Sequence, residues 1–462
     1  MATFESETVL PAETATAFDW HEAPGALQRL IPPWEDVSVE SATGGIRDGA
    51  EVVLRIGVGP ASVRLVARHE GYEPPHQFVD VQEEGPFRCW RHVHSFRSHG
   101  QGRCLMRDSI EYEPPTPYFL DTLASQRIDR KLQAMFAYRH RTTRDDLRFH
   151  GRYSQDPKTL AVSGSTGLVG STLCPLLTTG GHRVVRLVRS EPEEAVPGCE
   201  ARRYDPDAAT LDASVLDGCD AVIHLAGESI MGRWDEEKKR RIRESRVHST
   251  RIIAEAMAAR SDGPRTLVVA SAIGIYGDRG DETLTEDSSH GSDFLADVAR
   301  EWEQAADAAR NAGIRVVHVR LGIVLSPRGG ALSQTLLPFK LGGGVQIGDG
   351  QQWWSWVGID DAAGIFAWAA LDNTVHGPVN AAAPGSVRNR QFTETLAEVL
   401  SRPTWPGFVR IPGPAATLAM GEMADALLLS SARVEPQHTQ AAGYEFRFTN
   451  LEETLRHVLG RT

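Results

Sequence analysis

The stretch LAVSGSTGLVGSTLCPLLTTGGHRVVRLVRS, residues 160–190, constrains the fold more than any other part of the chain. An apolar β-like run ends at Gly164, a helical run opens at Gly170, and a second β-like run closes near Arg189. Gly164 suits a tight turn, Gly167 a close backbone approach to a phosphate, and Gly170 close packing of helix on sheet. A helix starting directly after such a turn aims free N–H groups and its positive dipole end at an anion. With a strand before and a helix and strand after, the triplet reads as a dinucleotide cradle rather than an ordinary turn. Ser165, Thr166, Leu168 and Val169 share the loop with the glycines.

The end of the second strand discriminates between cofactors. An acidic residue there holds the ribose 2′-hydroxyl of NAD, whereas an arginine accommodates a 2′-phosphate. The run ends VVRLVRS, which puts Arg189 and Ser190 at that place, with Glu191 next and a proline after it. The expected cofactor is NADP.

The rest of the chain divides by texture. From Leu160, apolar runs such as DAVIHLAGE, TLVVASAIGIYG and IRVVHVRLGIVLS alternate with helical stretches, as in a doubly wound parallel sheet covered on both faces. From about residue 330, glycine-rich loops, tryptophans and short helices suggest a C-terminal cap on that sheet. Residues 1–147 read instead as short alternating strands closed by a long helix, an α+β arrangement, with 148–159 as linker. The chain has 462 residues, enough for two domains, and a net charge of −12 with no concentrated basic face, which argues against a nucleic-acid partner. Five cysteines form no CxxC pair, no basic-then-apolar leader opens the chain, and no apolar run reaches membrane-spanning length. A cytoplasmic protein is expected.

Several motifs together carry a family resemblance. SGSTGLVG, VIHLAGESI, GRWDEEKKRRIRESRVHSTRII, SAIGIYGDRGDETLTED, LGIVLS and IGDGQQWWSWVGIDD resemble the extended short-chain dehydrogenase/reductases. More narrowly they resemble the sugar-nucleotide epimerase family that carries a cell-division-inhibitor label, a label with no residue-level support here. The resemblance implies a Rossmann-type sheet, with Gly164, Ser165, Gly167, Leu168, Val169 and Gly170 at the pyrophosphate. It implies Arg189 and Ser190 at the 2′-phosphate and Leu225, Ala226 and Gly227 beside the nicotinamide. LIPPWEDVSV, FVDVQEEGPFRCWRHVHSF and the closing helix resemble the helix-grip domains of START and polyketide-cyclase proteins. That second likeness implies a cavity for an apolar ligand.

The usual proton-transfer machinery of such reductases is missing. It needs a tyrosine four residues before a lysine on one helical face, with a nearby hydroxyl. The five lysines are Lys131, Lys158, Lys238, Lys239 and Lys340, and none follows a tyrosine at that spacing. The expected segment reads SDFLADVAREWEQAA, and the hydroxyl position before the YG pair is Ala272, with Ser271 one residue earlier. Candidate substitutes are Glu228 (an acid if burial raises its pKa), Tyr276 and Ser271, with Arg233 and Arg246 facing the same crevice. Arg246 also joins the cofactor-binding set, because the ESR motif of the family turns it toward the sheet.

Other clusters have plainer readings. His92 and His94 share a strand face with His99 nearby, but no carboxylate stands at suitable spacing, so no metal is expected. Trp353, Trp354 and Trp356 form an aromatic wall or pack a core; Asp360 and Asp361 read as helix caps; EEKKRRIRESR reads as a solvated helix face. The reading is an NADP(H)-binding epimerase- or reductase-like protein that transfers hydride to or from a small carbonyl or hydroxyl substrate through nonstandard residues. The alternative is a non-catalytic NADP(H) sensor or scaffold. Oligomeric state is open.

Overall fold

A computed structural model describes residues 1–114, 121–153, 156–190, 196–340, 344–402 and 409–461. They form two compact units, one of residues 1–156, 178–181 and 459–462, the other of residues 157–177 and 182–458.

The first unit contains β1 (Ala2–Leu10), α1 (Thr14–Glu22), α2 (Ala26–Leu30), β2 (Val37–Thr43) and β3 (Glu51–Val58). These are followed by β4 (Ala61–Glu73), β5 (Gln77–Glu84), β6 (Cys89–Ser98), β7 (Cys104–Glu113) and α3 (Asp121–Tyr153). The strands form one antiparallel sheet in the order β1-β7-β6-β5-β4-β3-β2. Alternation explains its inner face, since Cys104, Met106, Asp108, Ile110 and Tyr112 of β7 are all buried. Ile110 and Tyr112 pack with Phe4 of β1 and with Leu132 and Phe136 of α3. A second apolar cluster gathers Phe18, Trp20, Phe78, Phe96 and Met106. Truncating one of these buried phenylalanines to alanine costs about 3–5 kcal/mol in typical cores. Asp108, fully buried between the two clusters, is the one charged side chain among these five β7 residues.

Two boundaries differ from expectation. The closing helix runs to Tyr153, so the connection between the units is shorter than 148–159. The stretch TATAFDWHEAPGALQRL, which reads as one helix from its sequence, is two helices, because Gly25 takes a left-handed φ of 95° and Pro24 precedes it.

The second unit is built on β8 (Thr159–Ser163), α4 (Gly170–Thr179), β9 (Arg183–Val188), β10 (Cys199–Arg203), β11 (Ala221–His224) and α5 (Glu236–Ala258). It continues with β12 (Thr266–Ala272), α6 (Phe294–Gln304), β13 (Arg315–Leu321), α7 (Ile359–Leu371) and β14 (Gly377–Ala381). All seven strands are parallel, in the order β10-β9-β8-β11-β12-β13-β14. This is the expected Rossmann-type doubly wound sheet, and its strand order reverses between β8 and β11, where such sheets open a crevice. β8, β11 and β12 are buried almost throughout, as strands covered on both faces must be. α5 starts where Asp235 accepts a hydrogen bond from the Lys238 amide at 2.7 Å, and it buries Ile242, Ile252, Ile253 and Met257. In its basic run Arg240 is exposed and paired to Glu237 and Glu244, as the charge spacing suggested, whereas Lys238 and Arg246 are half-buried. Among the described residues no helix is long and apolar enough to cross a membrane.

Candidate functional site

The turn between β8 and α4 has the geometry its glycines demand. Gly164 sits at φ 67°, and a Cβ there would lie 2.8 Å from the Ala226 amide nitrogen. A Cβ on Gly170 would overlap the Gly164 carbonyl oxygen, so the helix starts against the turn only because it has none. Gly167 is different: its Cβ would meet only the Gly164 oxygen, at 3.2 Å, and the residue is exposed together with Thr166. Two glycines therefore serve packing and one leaves an open face. Leu168 lies against Gly329 and Gly330, and Ser165 is buried, where its hydroxyl accepts from Arg186 Nε at 3.2 Å.

Beside the turn, the end of β11 is fixed by a buried histidine. His224 Nδ1 lies 2.6 Å from Ser163 Oγ and Nε2 lies 2.9 Å from Ser249 Oγ. Burial lowers its pKa to about 4, so it stays neutral near pH 7. The chain then passes through Leu225, Ala226 and Gly227. Gly227 faces Arg246, whose Cζ would stand 3.2 Å from a Cβ there. Arg246 projects from α5, donates to the Ile242 carbonyl at 3.0 Å and lies over the Trp302 ring at 5.2 Å. Burial lowers its pKa, to about 10, and it still carries its charge at neutral pH. Arg189 and Ser190 follow β9 directly and are exposed. Among the described residues neither Arg189 nor Arg246 has a carboxylate partner within ion-pair distance. A helix N-terminus and two guanidinium groups, neither with a carboxylate partner among the described residues, thus stand near the strand ends, an arrangement whose chemistry would suit a multiply anionic ligand.

The proposed proton donors do not gather here as expected. Glu228 is partly exposed, and Lys238 Nζ stands 2.6 Å from its carboxylate, which lowers the Glu228 pKa instead of raising it. It is therefore ionised at neutral pH, so the neutral acid read from its position is corrected. Tyr276 is fully buried, donating to Asn380 Oδ1 at 2.7 Å and accepting from Arg320 Nη1 at 3.0 Å. Burial raises its pKa to about 12 against the pull of Arg320. Ser271 is buried too and donates to Glu303 Oε1 at 2.8 Å, while Glu303 takes two more hydrogen bonds from Arg320. Tyr276 and Ser271 thus belong to an internal polar network joining β12, α6, β13 and β14, which is a structural role. Arg233 is exposed.

The tryptophans and aspartates also resolve. Trp354 and Trp356 are core, whereas Trp353 lies between Arg388 and Arg433, at 4.4 and 4.8 Å from their guanidinium carbons. Asp361 does not cap α7. It accepts from the Arg447 and Phe448 amides at 2.8 and 3.1 Å, tying the C-terminal segment to the core.

In the first unit, His92 and His94 are buried, and the expectation that no carboxylate joins them is overturned. Asp80 and Asp108 reach them from the flanking strands, with His69 and His140 behind. Burial works to raise both carboxyl groups, but the histidine hydrogen bonds hold them well below the usual range. His99 is exposed and lies outside this cluster. Ionisable side chains thus occupy the middle of the sheet–helix interior expected to receive an apolar ligand. Sequence reading missed Arg186, His224, Asp80 and Asp108; only His92 and His94 had a visible spacing.

Comparison with known proteins gives a consistent picture. Residues 160–382 match the model of the NAD dependent epimerase/dehydratase family, and residues 411–458 match a domain of unknown function, DUF1731. The epimerase family protein YfhF of Bacillus subtilis is 35% identical over 301 residues, 65% of this chain and 97% of that protein. The human epimerase family protein SDR39U1 is 35% identical over 302 residues, 64% of this chain and 98% of that protein. A crystal structure of human SDR39U1 isoform 2 with NADPH superposes with a TM-score of 0.58 at 32% identity, covering 65% of this chain and 99% of that one. A crystal structure described as the nucleoside-diphosphate sugar epimerase of Corynebacterium glutamicum superposes with a TM-score of 0.80 at 36% identity. It covers 99% of this chain and 90% of that one, so the antiparallel first unit recurs there with the parallel one.

Proposed function

Because the chain belongs to the NAD-dependent epimerase family of the extended short-chain dehydrogenase/reductases, we propose that its second unit binds NADP(H) and exchanges hydride with a nucleoside-diphosphate sugar. The observation that carries this reading is the Gly164 turn, where the backbone approach leaves no room for a Cβ while Thr166 and Gly167 stay exposed. Such a cradle fits a pyrophosphate held by helix N–H groups. Arg189 would take the 2′-phosphate with Ser190, and Leu225, Ala226, Gly227 and Arg246 would border the nicotinamide end. When bound, NADP(H) supplies or accepts the hydride. The human relative solved with NADPH supports the phosphorylated form, and the Corynebacterium structure's description supports a sugar-nucleotide substrate.

A second reading, a non-catalytic NADP(H) sensor, draws support from one finding. Ser271, Tyr276 and Glu228 all have their polar atoms engaged by neighbours. The helix-grip reading of the first unit has only its antiparallel sheet and long helix behind it, and the buried ionisable side chains inside it do not suit an apolar ligand.

Nicotinamide fluorescence on titrating NADPH and NADH tests the cofactor reading. Arg189→Ala is expected to weaken NADPH about tenfold or more and to leave NADH unchanged, by loss of one charge-assisted contact. Equal loss for both, or no binding by folded protein, sinks it. Hydride turnover with nucleoside-diphosphate sugars then separates enzyme from sensor.

A further inference from the structure

Far from any requirement of dinucleotide binding, the first unit holds a convergent set of nitrogen and oxygen donors. Asp80 on β5 stands opposite His92 on β6, and His94, two residues on, stands opposite Asp108 on β7. Alternation puts both histidines on the inner face, and cross-strand pairing puts both aspartates there with them. Asp80 Oδ2 is 3.1 Å from His94 Nε2 and 3.6 Å from His92 Nδ1. Donors bound at ~2.0–2.1 Å to a tetrahedral ion stand about 3.3 Å apart, so these distances bracket what one ion requires.

From this geometry we infer that Asp80, His92 and His94 bind one divalent first-row transition-metal ion. The groups behind them fit that role. His92 Nε2 is 2.9 Å from Asp108 Oδ1, which leaves Nδ1 to face Asp80. The same oxygen is 2.8 Å from His94 Nδ1, and His140 Nε2 holds the other Asp108 oxygen at 2.7 Å. His69 Nε2 lies 2.7 Å from Asp80 Oδ1. The Asp108 hydrogen bond behind His92 fixes its tautomer and raises its donor strength, while His94 Nδ1 has the same carboxylate beside it. Two imidazoles and one carboxylate suit zinc, iron, cobalt or nickel. Calcium and magnesium prefer all-oxygen shells, and copper(I) prefers sulfur. Asp80 keeps 23% side-chain exposure, an opening by which an ion could reach the cluster. The competing occupant is a proton, with His94 as an imidazolium between the two aspartates.

The test is titration of chelator-stripped full-length protein with Zn2+ by calorimetry and with Co2+ by visible absorption. One equivalent of each is expected, with the intense Co2+ bands of a low-coordinate site. His92→Gln and Asp80→Asn should lose at least ~100-fold in affinity, and Asp108→Asn ~10–100-fold. His99→Gln, outside the cluster, should change nothing. Absence of stoichiometric uptake, or His92→Gln binding as tightly as the unaltered chain, overturns the site in favour of the proton. Should His92→Gln fail to unfold cooperatively, the unaltered chain decides: a weak solvated-ion Co2+ spectrum throughout the titration also overturns it.

Discussion

Arg186 donates from Nε to Ser165 Oγ at 3.2 Å, which places a buried guanidinium directly behind the glycine turn. Among the described residues no carboxylate pairs with it. A buried charge without a counter-ion is costly, and the pyrophosphate proposed for this turn would offset it. Arg186→Met should therefore weaken NADPH and NADH alike, by about tenfold, since the loss falls on the shared phosphates. The apo protein should melt no lower, because an unpaired charge has been removed. A loss confined to NADPH would place Arg186 at the 2′-phosphate instead, and a large drop in melting temperature would make it a fold residue.

The three glycines should separate by substitution. Gly164→Ala and Gly170→Ala bring a Cβ against backbone atoms that cannot swing aside, and Gly164 also has a left-handed φ. Each should cost about 1–3 kcal/mol of stability by denaturant unfolding. Gly167→Ala meets only one oxygen, at 3.2 Å, and should fold nearly as well. Its new methyl would stand on the exposed face, so its NADPH affinity should fall more than its stability. A Gly167→Ala protein that binds normally would remove the phosphate from that face.

What the sequence revealed follows the range of each constraint. The glycine turn was legible because φ at Gly164 and the packing at Gly170 are local demands that only one residue type meets. The partners of Ser271 and Tyr276 were not, since Glu303, Arg320 and Asn380 arrive from three other elements and turn both hydroxyls into internal ties. Likewise, Asp80 and Asp108 meet His92 and His94 only through strand register, which spacing along the chain does not encode. Arg186 was hidden inside VVRLV, where a strand buried on both faces is expected to be apolar.

Glu228 should behave as a paired surface carboxylate. The Lys238 hydrogen bond lowers its pKa, so stability from the pair is present above the ordinary carboxylate range and fades as pH falls through it. With the Glu228 side chain 37% exposed, solvent screens the pair, and Glu228→Gln should change stability by less than about 1 kcal/mol. Any turnover should keep its neutral-pH profile in this variant. A lost acidic limb near neutrality would show instead that ligand binding strips Lys238 from Glu228 and restores an acid.

His224 gives the sharpest pH prediction. Its pKa is lowered from 6.5 to about 4 by burial alone, so the unfolded chain takes up the proton first as pH falls. The neutral ring's contribution is complete above about pH 6.5 and drains away toward pH 4, by roughly 3 kcal/mol at about 1.4 kcal/mol per unit. His182 and His318 are lowered to about 4 as well, so the whole-protein slope is shared. Subtracting the profile of His224→Gln isolates the one residue. The unaltered protein should lose more stability than the variant between pH 6.5 and 4.5 in denaturant titrations. Because His224 joins Ser163 at the end of β8 to Ser249 on α5, its protonation should also loosen the Leu225–Gly227 segment. NADPH affinity should then fall only as pH approaches the folded-state value of about 4 in the unaltered protein, and fall less in His224→Gln. Parallel profiles for the two proteins would mean that this histidine exchanges its proton freely in the folded state and does not hold the crevice shut against acid.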